Sequence, residues 1–296
     1  MGKEKTTDAQ LAGISRELPV LLAGPTASGK SALAMALAAR DGRVIINADA
    51  LQVYACWHVL TARPSAADAA ALPHMLYGHV GRGQDYSVGH WLREVTGLLA
   101  AHGPRVVIVG GTGLYFAALT GGLADIPATP PEVRLRADAL RKGDLAGMIA
   151  ALDGATRARV DLANPMRVQR AWEVQEATGQ GMAAWQAQTP APVLALADCA
   201  AVLLRPDVAA LNARIDQRLD QMIGNGALQE VRANLPDWAP AAPWAQAIGA
   251  AQFVAHLRGE MDAAAALMSA KIATHQYAKR QRTWMRNRMA AWQECA

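Results

Sequence analysis

Two short apolar runs near the start of the chain predict the first elements of the fold. The runs cover residues 18–22 and 44–46, and an Ala/Leu/Met-rich helical segment over residues 32–40 separates them. Short continuous apolar runs are typical of strands buried on both faces. A strand, a helix and a second strand in close succession form a βαβ unit, so we expect a parallel sheet flanked by helices.

Later segments extend this pattern. A third apolar run, residues 105–109, breaks into glycines and restarts as a helix, and residues 193–196 and 201–204 look like further strands. Residues 89–99 place their apolar side chains on one helical face. The sequence therefore predicts an α/β fold.

The middle of the chain departs from this pattern. Residues 119–131 contain a glycine pair and three prolines, and residues 131–188 have helical periodicity, with helices expected at 132–141, 144–152 and 165–178. We predict a core domain of residues 18–128 and 190–296, with a small all-helical insertion domain at 129–189.

Composition is that of a globular, intracellular chain. Hydrophobic residues make up 52% of the 296 residues and charged residues 18%. Cys56, Cys199 and Cys295 lie too far apart for a metal motif or a disulfide framework, which favours a cytoplasmic location. No apolar run approaches the ~20 residues that span a bilayer, so no membrane partner is expected. Residues 1–17 are polar, and we expect a loose tail there.

The first strand leads into a phosphate-binding loop. Its pattern, G-x-x-x-x-G-K-S, turns backbone N–H groups towards one anion, and the next helix adds its positive end. Lys30 would reach the terminal phosphates and the Ser31 hydroxyl would hold Mg²⁺. A P-loop NTPase-like sheet follows, with ATP as the usual nucleotide ligand of such loops. The loop residues are Gly24, Pro25, Thr26, Ala27, Ser28, Gly29, Lys30 and Ser31.

Two polar residues are expected at the same edge of the sheet. Asp49 ends the second strand, and ligands of parallel sheets bind at the carboxyl ends of strands. Asp49 is therefore a candidate catalytic carboxylate, or simply a helix cap. Thr112 lies in the glycine-rich turn 110–113, which is either a second anion-binding turn or a tight turn alone.

Positive charge is distributed unevenly along the chain. The net charge is only +4, yet residues 263–293 contain no Asp or Glu. Aromatic residues alternate there with Lys271, Lys279, Arg280, Arg282, Arg286 and Arg288. This composition favours a nucleic-acid surface over a solvated helix. Arg214 and Arg218, four apart on one helix, would also suit phosphate.

Taken together, these stretches resemble the tRNA dimethylallyltransferases over about residues 18 to 290. The resemblance rests on segments 24–31, 48–54, 109–115, 167–174, 247–249 and 277–286. It implies transfer of a dimethylallyl group from dimethylallyl diphosphate to the exocyclic amine of an adenosine beside the tRNA anticodon. Asp49 would be the general base and Thr112 would line the reaction channel. Lys30, Ser31 with Mg²⁺, and Arg214 or Arg218 would stabilise the diphosphate held by the loop.

The resemblance also implies an RNA-binding surface. The insertion domain would grip the anticodon stem-loop, and the target base would flip out of its stack. With the basic C-terminal segment included, the expected tRNA contacts are Asp49, Ala50, Leu51, Gln52, Thr112, Arg134, Met166, Arg167, Val168, Gln169, Arg170, Lys279, Arg280 and Arg282. No obligate protein partner is expected, and a monomer would suffice.

Some positions depart from the family pattern. Ala50 replaces the usual serine, Ala55 an arginine, and Ala250 a tyrosine. Residues 59–64 and 74–78 keep the family motifs only in part. Three alternatives remain open: a small-molecule kinase, a transferase that prenylates free adenylate, and a non-catalytic RNA-binding protein.

Overall fold

A parallel sheet of six strands organises the larger part of the protein. The computed structural model describes residues 11–295. The strands are β1 (Val20–Ala23), β2 (Val44–Asn47), β3 (His74–Met75), β4 (Val106–Gly110), β5 (Ala200–Leu204) and β6 (Gln293–Cys295). Their spatial order is β3-β2-β4-β1-β5-β6, and all pairs are parallel. The predicted α/β, P-loop NTPase-like class is confirmed.

The central strands end in register, which brings their following loops together. Ala23, the last residue of β1, pairs with Gly110, the last residue of β4, and Asn47 of β2 pairs with Val109. All residues of β1, β2 and β4 are buried. The phosphate loop, Asp49 and Thr112 each follow one of these strands, so all three lie at one edge.

Eight helices of the described residues belong to the same unit as this sheet. Some bury apolar side chains against it, such as Leu33 and Leu37 or Trp91 and Val95, and others pack in clusters outside the sheet. Several begin with a side-chain cap, as Asp207 does for the helix that starts at Val208. The eight helices are α1 (Lys30–Asp41), α2 (Ala66–Ala71), α3 (Val88–His102), α4 (Gly113–Gly121), α10 (Val208–Gly224), α11 (Ala227–Asn234), α12 (Ala250–Leu257) and α13 (Ala263–Arg288).

Residues 121–193 form a separate compact unit, and residues up to 120 and from 194 form the other. This smaller unit is helical, and a core around Val133, Met148, Val168 and Trp172 holds it together. Its helices are α5 (Pro131–Gly143), α6 (Leu145–Ala150), α7 (Gly154–Arg159), α8 (Pro165–Thr178) and α9 (Met182–Ala187). The bounds predicted from sequence were 129–189.

The predicted strand at 193–196 is wrong. Prolines at 190 and 192 remove backbone donors, Leu194 donates its N–H to Leu119, and residues 196–198 form a 3₁₀ turn. The edge strands β3 and β6 were not predicted, because they have only two and three residues.

A buried arginine anchors the segment before β1. The guanidinium of Arg43, 1% exposed, donates to the carbonyls of Ser15 and Leu18 and pairs with Asp41. Ile14 is buried beside it in the core. Residues 11–17 are therefore packed, which corrects the expected loose tail; residues 1–10 of that segment lie outside the described residues.

None of the helices within residues 11–295 has both the length and the apolar character needed to cross a membrane.

Candidate active site

The phosphate loop has a backbone conformation that turns its donors inward. Gly29, with φ of 93°, and Ala27, with φ of 59°, adopt the left-handed region, and α1 begins directly afterwards. Gly24 has no room for a side chain, since a Cβ there would lie 2.7 Å from Ser28 Oγ. That hydroxyl is buried and has no hydrogen-bond partner among the described residues. An unsatisfied buried hydroxyl and a helix N-terminus in one loop suit a bound anion.

Lys30, at the end of this loop, is influenced by both a negative and a positive side chain. Burial lowers the pKa of its ammonium to about 8; the Asp49 carboxylate partly opposes this, and the Arg218 guanidinium adds to it. Its Nζ also donates to the carbonyl of Pro25, 3.3 Å away. Lys30 thus lies within electrostatic reach of both residues and is partly buried, which strengthens its interaction with a phosphate.

Asp49 sits in a turn fixed from below by Asn47. The buried Asn47 side chain accepts the Asp49 N–H at 2.9 Å and donates to the Asp49 and Leu76 carbonyls. One carboxylate oxygen, Oδ1, accepts the N–H of Leu51 at 3.0 Å. Asp49 therefore stabilises a local turn and also lines the cavity. No helix begins directly after it, so the alternative interpretation of Asp49 as a helix cap is wrong.

Thr112 lies beside this turn. Its hydroxyl accepts the N–H of Ala50 at 2.9 Å, and its own N–H donates to Ala48 at 3.2 Å. Within residues 11–295, no acceptor receives the Thr112 hydroxyl hydrogen, which leaves it able to bind a substrate oxygen. The close approach needs Gly110, because a Cβ there would lie 2.0 Å from the Ala48 carbonyl oxygen.

Lys30, Ser31 and Asp49 line one cavity of about 710 Å³, open to solvent on one side, and Thr112 is not among its lining residues. Its wall combines loop atoms with polar groups from α10 and α13. It is lined by Thr26, Ala27, Lys30, Ser31, Asp49, Leu51, Gln52, Leu60, Thr61, Ile215, Arg218, Leu219, Met222, Ile248, Thr274 and Tyr277. Burial and the Asp49 charge raise the pKa of Tyr277 far above its usual value, so this phenol stays a neutral donor.

The structure separates the two candidate arginines of α10. Arg218 lines the cavity, and burial lowers the pKa of its guanidinium while Asp49 opposes the shift. Arg214 lies one turn earlier and is exposed outside the cavity. The prediction that either arginine contacts the diphosphate therefore narrows to Arg218, and Arg214 is removed from the candidate site.

Two side chains of α13 were missed as functional candidates. Tyr277 lines the cavity, and the buried Gln281 connects the phosphate loop to the turn that holds Thr112. The only sequence signal was their place within segment 277–286. The local sequence gives no sign that Gln281 is functional, because its two hydrogen-bond partners are remote in the chain.

The basic helix α13 is partly neutralised by its neighbour. Lys271 pairs with Asp220 of α10 at 2.7 Å, and His275 approaches Asp216 at 2.9 Å. Lys279 and Arg280 are exposed and form no ion pair with a described residue, and Arg282 is half-buried with guanidinium nitrogens that lack a hydrogen-bond partner there. Free positive charge is thus concentrated in the second half of the helix.

The smaller unit presents some predicted RNA-binding residues and buries others. Met166 is 59% exposed, and the side chains of Arg134, Arg167 and Arg170 are 56%, 63% and 41% exposed. Val168 is wholly buried in the core, and Gln169 hydrogen-bonds there to Glu173 and Asp138. Val168 and Gln169 were predicted to contact tRNA, and their burial leaves neither side chain accessible to RNA.

The cavity offers oxygen ligands suited to Mg²⁺ only in part. The Ser31 hydroxyl and the Asp49 carboxylate line it. No cluster of three or more His, Cys, Asp or Glu able to hold a metal occurs within the described residues. Mg²⁺ commonly binds through one or two protein oxygens together with water and substrate phosphates, and the Ser31 hydroxyl fits that mode.

Comparison with known proteins gives matches over nearly the whole chain. The family model described as IPP transferase matches residues 52–288, and one described as isopentenyl transferase matches residues 19–75. A tRNA dimethylallyltransferase of Cereibacter sphaeroides is 63% identical over 287 residues, which cover 97% of this chain and 91% of the relative. One of Dinoroseobacter shibae is 60% identical, covering 95% and 96%.

A solved structure also aligns with nearly the whole chain. The full-length tRNA isopentenylpyrophosphate transferase of Bacillus halodurans aligns with a TM-score of 0.65 and 28% identity, over 94% of this chain and 89% of the other.

Proposed function

The chain belongs to the IPP transferase family, and from this membership we propose that it prenylates tRNA. The reaction moves the dimethylallyl group of dimethylallyl diphosphate to the exocyclic N6 amine of the adenosine next to the anticodon. The single observation that carries the proposal is the cavity in which the phosphate loop faces Asp49. The phosphate loop would bind the diphosphate, and Asp49, which lines the same cavity, would act as the base.

Asp49 takes the role of general base. The bond between N6 and the first carbon of the dimethylallyl group forms as the bond from that carbon to the diphosphate oxygen breaks. N6 then carries one proton too many, and the Asp49 carboxylate accepts it. The Leu51 N–H on Oδ1 and the Asn47 amide fix the position of Asp49, which reduces the reorganisation needed during transfer.

The phosphate loop, Lys30 and Arg218 stabilise the leaving group. Negative charge grows on the diphosphate as its bond to carbon breaks. Two cations and a helix N-terminus would surround that charge, and the burial of both cations strengthens their electrostatic effect. Thr112 would donate its hydroxyl hydrogen, which has no acceptor among residues 11–295, to the diphosphate or to the RNA.

Ser31 would hold Mg²⁺ together with the diphosphate oxygens. The ion would add positive charge against the leaving group.

The tRNA would bind to two sets of cations. One is the second half of α13 with Lys279, Arg280 and Arg282, and the other is Arg134, Arg167 and Arg170 of the smaller unit. Ala50, Leu51 and Gln52 follow Asp49 and would contact the flipped adenosine. Phosphate contacts of this kind position an RNA without reading its sequence. A cytoplasmic location and a monomeric state stay predictions.

The proposal is tested by incubating the protein with radiolabelled dimethylallyl diphosphate and unmodified tRNA. Label in the RNA, located at the adenosine by mass spectrometry of the digested nucleosides, supports it. Label in free AMP but not in tRNA would favour the adenylate transferase. Phosphate transfer from ATP to a small acceptor, with no label in RNA, would favour a kinase. Binding of tRNA without any transfer would favour a non-catalytic RNA-binding protein.

A further inference from the structure

The amide of Gln281 is bound at both ends by the two glycine-rich loops of the site. Its Oε1 accepts the N–H of Thr26 at 2.9 Å, and its Nε2 donates to the carbonyl of Gly111 at 3.0 Å. The residue is 6% exposed. A side chain at position 111 would not be compatible with this, because its Cβ would lie 2.3 Å from Nε2.

This arrangement occupies one donor of the phosphate loop. The Thr26 N–H lies at the strand end of the loop, and the Ser28 N–H is also used, by the Pro25 carbonyl at 3.2 Å. The N–H groups of Ala27 and Gly29 have no acceptor in the described part of the chain. The donors left for a ligand are thus these two and the first turn of α1, at the helix end of the loop.

The remaining donors suit a short anion. In a phosphate loop the backbone and the helix N-terminus bind the inner phosphates, and the lysine reaches towards the terminal one. A third phosphate would need further donors beyond Lys30, towards the strand end of the loop. Here that end meets a buried side-chain amide that donates one hydrogen to the Gly111 carbonyl.

We propose that Gln281 is a specificity-determining residue that restricts the phosphate loop to diphosphates and excludes triphosphates. It does so by taking the Thr26 N–H and by filling the strand end of the loop. The inference deepens the proposed function, on which it rests, since a prenyl diphosphate is the substrate and cellular nucleoside triphosphates are the competitors.

The test compares two simple anions. The dissociation constants of inorganic diphosphate and inorganic triphosphate, each with Mg²⁺, are measured by calorimetry on the full chain. Wild type should favour diphosphate. Gln281→Ala frees the Thr26 N–H and opens space, so the preference should fall by about tenfold, the value of roughly one hydrogen bond. Gln281→Glu places a negative charge at the strand end, so the preference should rise.

The control is Gln276→Ala, which removes an exposed glutamine of the same helix and should leave both constants unchanged. If Gln281 were merely structural, each variant would bind diphosphate and triphosphate more weakly by the same factor, and that result would overturn the proposal. So would an unchanged preference. If Gln281→Ala does not fold, the near-isosteric Gln281→Glu is sufficient as a test. A rise in its preference for diphosphate supports the proposal, and a fall contradicts it.

The transfer assay separates this inference from the proposed function. Opposite shifts in the two variants without label in tRNA would leave the role of Gln281 standing and refute prenyl transfer. Label in tRNA, with an unchanged preference for diphosphate in both variants, would support prenyl transfer and refute the role of Gln281.

Discussion

The hydroxyl of Thr112 accepts the backbone N–H of Ala50 at 2.9 Å. The contact joins the turn after β4 to the turn that carries Asp49, and it uses backbone, not side-chain, atoms of residue 50. Alanine in place of the usual family serine at position 50 therefore keeps this link, and the position of the proposed base does not depend on that substitution.

Replacing Thr112 by valine should lower kcat for prenyl transfer by about fivefold to tenfold. Valine keeps the shape of the side chain but leaves the Ala50 N–H without its acceptor, and it cannot donate to substrate. Thr112→Ser retains the hydroxyl and is the matched control. Steady-state kinetics with labelled diphosphate checks the pair; equal rates in both variants would show that the hydroxyl is not used.

Asp49→Asn should reduce kcat by about 10² to 10⁴, the usual contribution of a general base. The amide oxygen can still accept the Leu51 N–H, so the turn should keep its shape, and KM for the diphosphate should not rise. Asp207→Asn, which alters a helix-capping carboxylate outside the cavity, is the control. An Asp49→Asn enzyme with normal kcat would exclude Asp49 as the base.

The charge of Lys30 predicts a loss of activity at alkaline pH. Its pKa is lowered from 10.5 to about 8, so the free enzyme loses this positive charge as the pH rises through about 8. kcat/KM for the diphosphate should fall there, since kcat/KM reports groups of the free enzyme. Arginine stays protonated in this range, so Lys30→Arg should lack this alkaline decline, whatever its absolute rate. A decline that persists unchanged in the variant would assign it to another group.

The two halves of α13 should contribute differently to RNA binding. Removing Lys279 or Arg280 takes away an exposed, unpaired charge, so the slope of log K against log salt should lose about one unit per residue. Lys271→Ala changes the charge equally, but Lys271 is paired with Asp220 and should leave the slope nearly unchanged. Filter binding of tRNA over a salt series gives both slopes, and identical slopes would argue against this RNA surface.

Gly110→Ala should destabilise the protein by about 3 kcal/mol. Its Cβ would meet the backbone oxygen of Ala48 at 2.0 Å, and backbone in a central sheet cannot move aside cheaply. Gly97→Ala is the matched control, because no atom lies within 4 Å of its added Cβ inside helix α3. That change should raise stability by about 0.5–1 kcal/mol. Urea unfolding curves measure both effects.

The sequence predicted the parts of the site that are encoded locally. The loop from Gly24 to Ser31 and the aspartate after β2 each follow an apolar strand, and parallel strands bring such ends together. Segment 193–196 was misread as a strand since its apolar pattern outweighed the neighbouring prolines. Helical spacing alone did not distinguish Arg214 from Arg218, because only the neighbouring helix decides which turn faces the cavity.

Contacts between remote residues were beyond prediction from sequence. Gln281 and Thr26 are 255 positions apart, and nothing in either local pattern indicates the other. The burial of Val168 and Gln169 has a similar origin. Both lie in a helix whose exposed and buried faces are set by packing against α5 and α6.

Glu173 lies almost out of solvent beneath Arg134 and Arg170, 3.5 and 3.6 Å from their guanidinium nitrogens. Two arginines and one carboxylate leave a local charge of only about +1, so the pair attracts RNA weakly over a distance. In exchange, both guanidinium groups are held in place before the ligand arrives, and less side-chain freedom is lost on binding. In the proposed RNA surface, Arg134 and Arg170 would therefore add little to the rate of association. Their fixed positions would instead favour a nucleic acid whose phosphates fit them.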